Sequence, residues 1–188
     1  MEKVEEIISQ VNESIQSKMV IDTECILAIS NKITETYRNS KKVLICGNGG
    51  SAADAQHIAG ELVGRFKKER AALPCIALTT DTSIITAYAN DYSFNDVFAR
   101  QVCAFGEKDD ILIAFSTSGN SANIIEAIED AKRLGMAVIG FTGKDGGRMK
   151  DLCDICFCAP SSNTPRIQEC HELAYHIICD LVEKELFD

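Results

Sequence analysis

A histidine and a carboxylate lie four residues apart on one predicted helix. His57 and Glu61 occupy positions i and i+4 in the stretch GSAADAQHIAGEL, so they share a helix face. A histidine titrates near neutral pH and a carboxylate can act as a base, so such a pair can move protons. Taken alone, the pair is typical of an exposed ion pair, which is common on helices and contributes little to stability.

A second helix, near the C-terminus, changes this interpretation. Gln168, His171 and His176 lie in the stretch TPRIQECHELAYHIICDLVEKEL. Gln168 and His176 are separated by about 12 Å of helix rise, so their side chains can converge on one point from above and below. Polar side chains on an otherwise apolar helix need partners if they are buried. These groups favour a polar site over a chance surface pair.

The stretch STSGNS, residues 116–121, predicts a phosphate site. It follows the apolar run DILIAF and precedes a helical pattern, and its hydroxyl side chains are those of Ser116, Thr117, Ser118 and Ser121. Gly119 lets the backbone approach a ligand, and the helix N-terminus favours an anion without help from lysine or arginine. The alternative is that Ser121 or Asn120 only caps the helix, which would use one residue and not four hydroxyls.

The stretch GNGGS, residues 47–51, is a second strand-to-helix junction. Its glycines allow Asn48 and Ser51 to approach a sugar closely. It matches a dinucleotide fingerprint weakly, because Ala52 stands at the third glycine position and the acidic ribose partner is missing from the helix that follows. Nucleotide binding is therefore the second choice here.

Alternating strand and helix patterns place both loops. Short apolar runs predict strands over residues 43–46, 75–78, 111–115, 138–141 and 155–158. Helical patterns lie near residues 52–66, 83–105, 122–134 and 165–186, with a short helix around Met149. This order predicts an α/β fold, a three-layer αβα, doubly wound domain with a five-stranded parallel sheet. Ligands bind beyond the carboxyl ends of such strands, where both loops lie.

Two helical patterns precede the first strand. Val4, Ile8, Val11 and Ile15 recur at helical spacing, and Asp22 predicts an N-cap for a second helix. These helices, an arm of about residues 1–40, would form a separate layer or a contact between copies. Because no linker or repeat divides the chain, we expect one domain over residues 1–188.

The composition and charge of the chain limit which partners it can bind and in which compartment we expect it. The net charge is −9, so nucleic acid and anionic membranes are not expected to bind through a basic surface. The N-terminal stretch MEKVEEIISQ lacks the pattern of a secretory signal, and no apolar run is long enough to span a bilayer. The odd count of nine cysteines favours reduced thiols, so we expect a cytoplasmic protein.

One cysteine motif remains beside these patterns. Cys153 and Cys156 form a C-x-x-C, with Cys158 close behind. A structural zinc site would need a second such pair, which the sequence lacks, and a redox motif would usually open a helix after a strand. We therefore expect inert thiols.

Several long motifs carry a resemblance to one family. The stretches CGNGGSAADAQHIAGEL, AND, STSGNSANIIEAI, TGKDGG and RIQECHELAYHI resemble the phosphoheptose isomerases of the sugar isomerase (SIS) domain superfamily, over nearly the whole chain. The resemblance implies a flavodoxin-like SIS fold and a homotetramer with the N-terminal helices at its core and sites shared between subunits. It also implies conversion of sedoheptulose 7-phosphate to D-glycero-D-manno-heptose 7-phosphate, an early step towards bacterial surface polysaccharides such as lipopolysaccharide.

The resemblance also implies residue roles. Glu61 is the implied base and His176 the implied acid of an enediol mechanism. The implied substrate-binding residues are Asn48, Gly49, Gly50, Ser51, Asn90, Asp91, Ser116, Thr117, Ser118, Ser121 and Gln168. Some members bind zinc, one per subunit, at the positions of His57, Glu61, Gln168 and His176. Because Glu61 cannot easily be both a tight ligand and a free base, the role of the metal stays open.

A non-catalytic binding protein is the alternative function. The superfamily includes sugar-phosphate sensors, and a close relative binds the bacterial replication initiator. That initiator-binding branch lacks acid and base at the two catalytic positions. This chain keeps both Glu61 and His176, which favours the isomerase.

Overall fold

A parallel sheet forms the centre of the computed structural model, which describes residues 2–188. Its strands are β1 (Val43–Cys46), β2 (Cys75–Ala77), β3 (Ile111–Phe115), β4 (Ala137–Thr142) and β5 (Ile155–Cys158). They pair in the order β2-β1-β3-β4-β5, and every pairing is parallel. This is the flavodoxin-like order, in which successive strands are added on one side of β1 and then, from β3 onward, on the other side. The predicted fold class is confirmed.

Helices cover both faces of the sheet. They are α1 (Glu2–Met19), α2 (Thr23–Arg38), α3 (Gly50–Val63), α4 (Thr82–Asp91), α5 (Val97–Phe105), α6 (Ala122–Arg133), α7 (Met149–Leu152) and α8 (Thr164–Phe187). Alternate side chains of β1 enter different cores: Val43 and Ile45 pack with α2, α3 and α8, whereas Leu44 packs with α5 and α6. The runs are apolar throughout because both faces are buried.

The helical pattern of residues 83–105 is interrupted, which the sequence analysis did not predict. Helix α4 ends at Asp91, and a 3₁₀ turn over Phe94–Asp96 precedes α5. Ser93 caps that turn, since its Oγ accepts a hydrogen bond from the Asn95 N–H at 3.0 Å. Short polar side chains favour such local bonds over a continuous helix.

Helices α1 and α2 differ in how they use their apolar residues. Asp22 caps α2 as predicted, with its carboxylate accepting from the Cys25 N–H at 2.9 Å. Helix α2 buries Ile26, Ile29 and Ile33 in the core. Helix α1 leaves its stripe outside, since the exposed fractions are 58% for Val4 and 51% for Val11. The stripe of α1 is therefore not core within one chain.

No helix formed by residues 2–188 combines the length and the apolar character that a membrane crossing requires.

Candidate active site

Helices α3 and α8 lie side by side, and polar residues of one helix contact polar residues of the other at successive positions along their length. At the first level Gly50 lies against Gln168, so close that a side chain at position 50 would meet its amide. Further along, His57 Nε2 lies 3.4 Å from His176 Nε2. Residues about one turn apart lie on the same face of a helix. Because α3 and α8 run in the same direction, residues further along α3 meet residues further along α8.

The ring of His57 has polar neighbours on both nitrogens. Its Nε2 lies 3.1 Å from Glu61 Oε1, which forms the i, i+4 pair that the sequence predicts. Its Nδ1 lies 2.9 Å from the hydroxyl of Tyr175 on α8. Burial, together with nearby carboxylates, raises the pKa of Tyr175, so that hydroxyl stays protonated. The pair is therefore part of a cluster between two helices and not an isolated surface contact.

Two carboxylates that the sequence analysis did not single out join this cluster. Burial and the charge of Glu172 raise the pKa of Asp54 to about 6, although His57 opposes the shift. Asp54 Oδ2 is buried and has no hydrogen-bond partner within residues 2–188. The signal was present in the spacing, since Asp54 lies three residues before His57 and Glu172 lies four residues before His176.

Glu172 completes a group with metal-ligand chemistry. His57, Glu172 and His176 each offer a ligand atom, and these atoms all lie within 4.8 Å of one another. Imidazole nitrogen and carboxylate oxygen are donors that zinc accepts. The residues present thus fit a divalent cation, in a group that shares His57 and His176 with the implied ligands and adds Glu172.

His171 lies outside this cluster. It is buried beside the rings of Phe115, Phe141 and Phe157, and its Nε2 is 3.0 Å from the carbonyl oxygen of Thr142. Burial lowers the pKa of His171 to about 4, so the ring is neutral and donates Nε2–H to that carbonyl. His171 belongs to the wall behind the site.

Three of the four hydroxyls in the loop over residues 116–121 lie close together. Ser116 Oγ lies 2.9 Å from Ser121 Oγ and 3.4 Å from Ser118 Oγ. Ser121 occupies the N-cap position of α6, yet its side chain makes no capping bond. Gly119 has a φ of +66°, and a side chain there would collide with the backbone of Gly146. The Ser121 hydroxyl is therefore not used to cap its own helix, and the assignment of these hydroxyls to a phosphate stays a prediction.

The glycine turn is tied to the start of α6. Asn48 and Asn123 exchange two side-chain amide hydrogen bonds, of 2.9 and 2.8 Å. Gly49, at the N-cap of α3, has a φ of +55°, which favours glycine. Asn123 is buried, and the sequence analysis missed it because its partner lies 75 residues away. This pair holds the N-termini of α3 and α6 together.

Comparison with known proteins identifies the family. The model of the SIS domain matches residues 2–143. A phosphoheptose isomerase of Roseiflexus sp. strain RS-1 is 52% identical over 185 residues, which cover 97% of this chain and 94% of that relative. The chain belongs to the phosphoheptose isomerase family.

Solved structures of the same family agree with this fold. A phosphoheptose isomerase from Francisella tularensis has a TM-score of 0.94 at 40% identity, covering 98% of this chain and 100% of its own. Phosphoheptose isomerase GmhA from Neisseria gonorrhoeae has a TM-score of 0.91 at 42% identity, covering 96% of this chain and 98% of its own. The resemblance seen in the motifs therefore extends to the whole fold.

Asn90 and Asp91 contact each other at the end of α4 and not the other residues of the implied phosphoheptose isomerase site through side-chain hydrogen bonds within residues 2–188. Both are exposed at the end of α4, and Asn90 Nδ2 donates to Asp91 Oδ1 at 2.9 Å. Among residues 2–188 no side-chain hydrogen bond joins either of them to another implied site residue. Their assignment to substrate binding stays a prediction.

A lysine lies near the hydroxyl loop, although the sequence analysis expected a cradle without cations. Lys144 lines a small cleft together with Thr117, Ser118 and Ser161. Its backbone N–H donates to the Ser161 carbonyl at 3.0 Å, which fixes the loop after β4. The position of Lys144 within TGKDGG, directly after a strand, was the signal available in the sequence.

Proposed function

We propose that the chain isomerises sedoheptulose 7-phosphate to D-glycero-D-manno-heptose 7-phosphate through an enediol, for heptose in bacterial surface polysaccharides. The supporting observation is the cluster of Glu61, His57 and His176 on the α3–α8 face, in a member of the phosphoheptose isomerase family. This cluster holds a base and a proton carrier, and a purely binding protein needs neither.

The proposed roles follow from the chemistry of moving a carbonyl group. Glu61 removes a proton from C1 of the ketose to give the enediol, and a proton is then returned to C2 as the carbonyl group forms at C1. His176 moves protons between the two oxygens, because an imidazole ring can both accept and donate a proton. The hydroxyls of residues 116–121 hold the phosphate at the N-terminus of α6.

The remaining implied residues would position the sugar. Asn48 to Ser51 present a turn on which a hydroxylated chain can lie, and Gln168 reaches that turn from α8. Zinc, one per subunit, is the metal we propose for the residues implied by the family, His57, Glu61, Gln168 and His176. When bound, such an ion would polarise the carbonyl group.

The assembly that we propose is a homotetramer. Support comes from the apolar stripe of α1, which the chain's own core does not cover, and from the exposed positions of Asn90 and Asp91. A second copy would cover the stripe and bring further groups to the site. We also propose a single SIS domain over residues 1–188, with an arm over about residues 1–40, that acts in the cytoplasm. Sedimentation at micromolar concentration tests the assembly, and a fully active monomer would refute it.

Turnover of sedoheptulose 7-phosphate tests the proposed function. The product is measured in a coupled assay, with and without a chelator, and binding of the same compound is measured by calorimetry. Turnover supports the isomerase. Binding without turnover, in both the presence and absence of added zinc, would instead support a non-catalytic sugar-phosphate-binding or replication-initiator-binding protein.

A further inference from the structure

The glycine turn over residues 47–51 and the hydroxyl loop over residues 116–121 lie next to each other. They follow β1 and β3, which pair directly in parallel, with Cys46 beside Ala114 near the carboxyl ends of the two strands. A ligand that spans both junctions would place its phosphate at one helix N-terminus and its hydroxylated chain at the other. A side chain that connects the two junctions can therefore affect how such a ligand is held.

Asn48 and Asn123 make this connection through their side-chain amides. Asn48 Nδ2 donates to Asn123 Oδ1 at 2.9 Å, and Asn123 Nδ2 donates to Asn48 Oδ1 at 2.8 Å. Asn123 is the second residue of α6 and is 3% exposed, whereas Asn48 is half-buried. Two apolar side chains of similar shape can replace a buried hydrogen-bonded pair at little cost in stability. Packing alone therefore does not account for the paired amides.

The exchange of hydrogen bonds leaves half of the Asn48 amide unused. A primary amide has two N–H groups and an oxygen with two lone pairs, and the pair uses one N–H and one lone pair of each residue. Among residues 2–188, the side chain of Asn48 has no other hydrogen-bond partner. A sugar hydroxyl both donates and accepts, so it complements the remaining N–H and lone pair, whereas a phosphate oxygen uses only the N–H. The unused half of Asn48 therefore suits the sugar better than the phosphate.

We propose that Asn123 is a positioning residue, which holds the Asn48 amide in the orientation that binds hydroxyl groups of the sugar. Asn123 does not touch the sugar in this role. It fixes Asn48 before the ligand arrives and so removes the cost of immobilising that side chain on binding, which is worth a factor of about 3 to 10 in affinity. The identity of the sugar phosphate rests on the proposed function, whereas the effect of Asn123 on Asn48 does not.

A comparison of two ligands tests this role. Asn123→Leu keeps about the size of the side chain but removes both hydrogen bonds, and Asn123→Ala is a second variant with a smaller side chain. The affinities of the full-length protein for sedoheptulose 7-phosphate and for inorganic phosphate are measured by calorimetry. We expect the affinity for the sugar phosphate to fall by about 3- to 10-fold and the affinity for inorganic phosphate to stay unchanged. A general distortion at the start of α6 would weaken both ligands, because the hydroxyl loop leads into that helix.

A double-variant cycle shows whether Asn123 acts through Asn48. Asn48→Ala alone should weaken binding of sedoheptulose 7-phosphate. Adding Asn123→Leu should weaken it no further, because no amide is left to position, whereas independent contributions would multiply. In turnover, Asn123→Leu should raise KM and leave kcat nearly unchanged, which is the pattern of an interaction made equally in the ground state and the transition state.

Asn31→Ala is the control, because Asn31 is exposed on α2, and it should bind and turn over like the parent. The proposal is overturned if both variants of Asn123 bind the sugar phosphate as the parent does, if the double variant loses more affinity than Asn48→Ala, or if inorganic phosphate is weakened as much as the sugar phosphate. If the parent binds sedoheptulose 7-phosphate without turnover, the proposed function fails, and the binding results still decide the role of Asn123. Absence of binding by the parent would overturn both.

Discussion

Two carboxylates on α8, Glu172 and Glu183, lie about three turns apart in opposite environments. Glu183 is buried and accepts hydrogen bonds from the backbone N–H groups of Phe66, Lys67 and Lys68, at 3.0, 2.8 and 2.8 Å. Arg70 Nε adds a fourth bond at 3.0 Å. Glu172 is exposed, and it faces two histidines and Asp54 instead of a set of donors.

The electrostatic consequences of the two environments differ. Burial raises the pKa of Glu183, but the four hydrogen bonds lower it by more, so the carboxylate stays charged. The same Arg70 also donates to the carbonyl oxygens of Glu61 and Leu62, at 2.8 and 2.9 Å, and so holds the end of α3. Glu183, with all its hydrogen bonds made, stabilises the fold. The cluster around Glu172 has few hydrogen-bond donors, so its groups can still bind a ligand.

The largest expected effect is a loss of turnover, without a loss of stability, when Glu61 is replaced. Glu61→Gln keeps the shape and the hydrogen bonding of the side chain but removes its basicity. Turnover should fall by about 10²–10⁴-fold, and exchange of the substrate C1 proton with deuterated solvent should stop. His176→Asn should lower turnover while retaining some exchange, since the base remains. Proton NMR in deuterium oxide measures the exchange.

Glu69→Gln is the matched control for this measurement, because the side chain of Glu69 is 95% exposed. It should exchange and turn over like the parent. Exchange at the parental rate in Glu61→Gln would show that Glu61 is not the base, and an unchanged melting temperature would show that the fold is intact.

Removal of Glu183 should lower the stability of the fold, whereas Glu61→Gln should lower turnover and leave stability unchanged. Glu183→Ala leaves the Arg70 guanidinium, in a side chain that is 2% exposed, buried without its carboxylate partner. We expect the free energy of unfolding in denaturant to fall by about 3–5 kcal/mol. Glu185→Ala breaks the exposed pair with Arg38, and it should cost at most about 1 kcal/mol. Equal losses in the two variants would contradict the comparison.

A smaller effect is expected at the phosphate loop. Ser118→Ala combined with Ser121→Ala removes two hydroxyls of the converging set, each worth about 1.5–3 kcal/mol when bonded to a charged group. Binding of sedoheptulose 7-phosphate should weaken by at least about 10-fold by calorimetry, with the melting temperature unchanged. Ser83→Ala, at an exposed position of α4, is the control. Unchanged affinity in the double variant would refute the phosphate assignment.

The smallest expected effect is the pH dependence of the Glu183 contribution. The pKa of Glu183 is lower in the folded chain than in the unfolded chain. Its stabilisation is therefore complete above the unfolded pKa and declines as the pH falls through the folded pKa. The difference in unfolding free energy between the parent and Glu183→Gln should narrow below the ordinary pKa of a glutamate. A difference that widens in acid would contradict the direction of the shift.

The sequence predicted well those features that one segment encodes by itself. The alternation of apolar runs and helical patterns gave the five strands, their parallel pairing and the loops at their carboxyl ends. Asp22 was predicted as a cap because capping is a bond between near neighbours in sequence. The interruption after Asp91 was missed, since the local bond of Ser93 competes with an otherwise continuous helical pattern.

The tertiary structure alone decided which side chains of different segments meet. His57 and Glu61 are a pair in the sequence, but Glu172, Tyr175 and His176 join them only because α8 packs along α3. The apolar stripe of α1 was visible in the sequence, yet only the packed chain shows that it stays outside the core. Periodicity reports the faces of one element, whereas the angle and register between two elements follow from packing that no single segment contains.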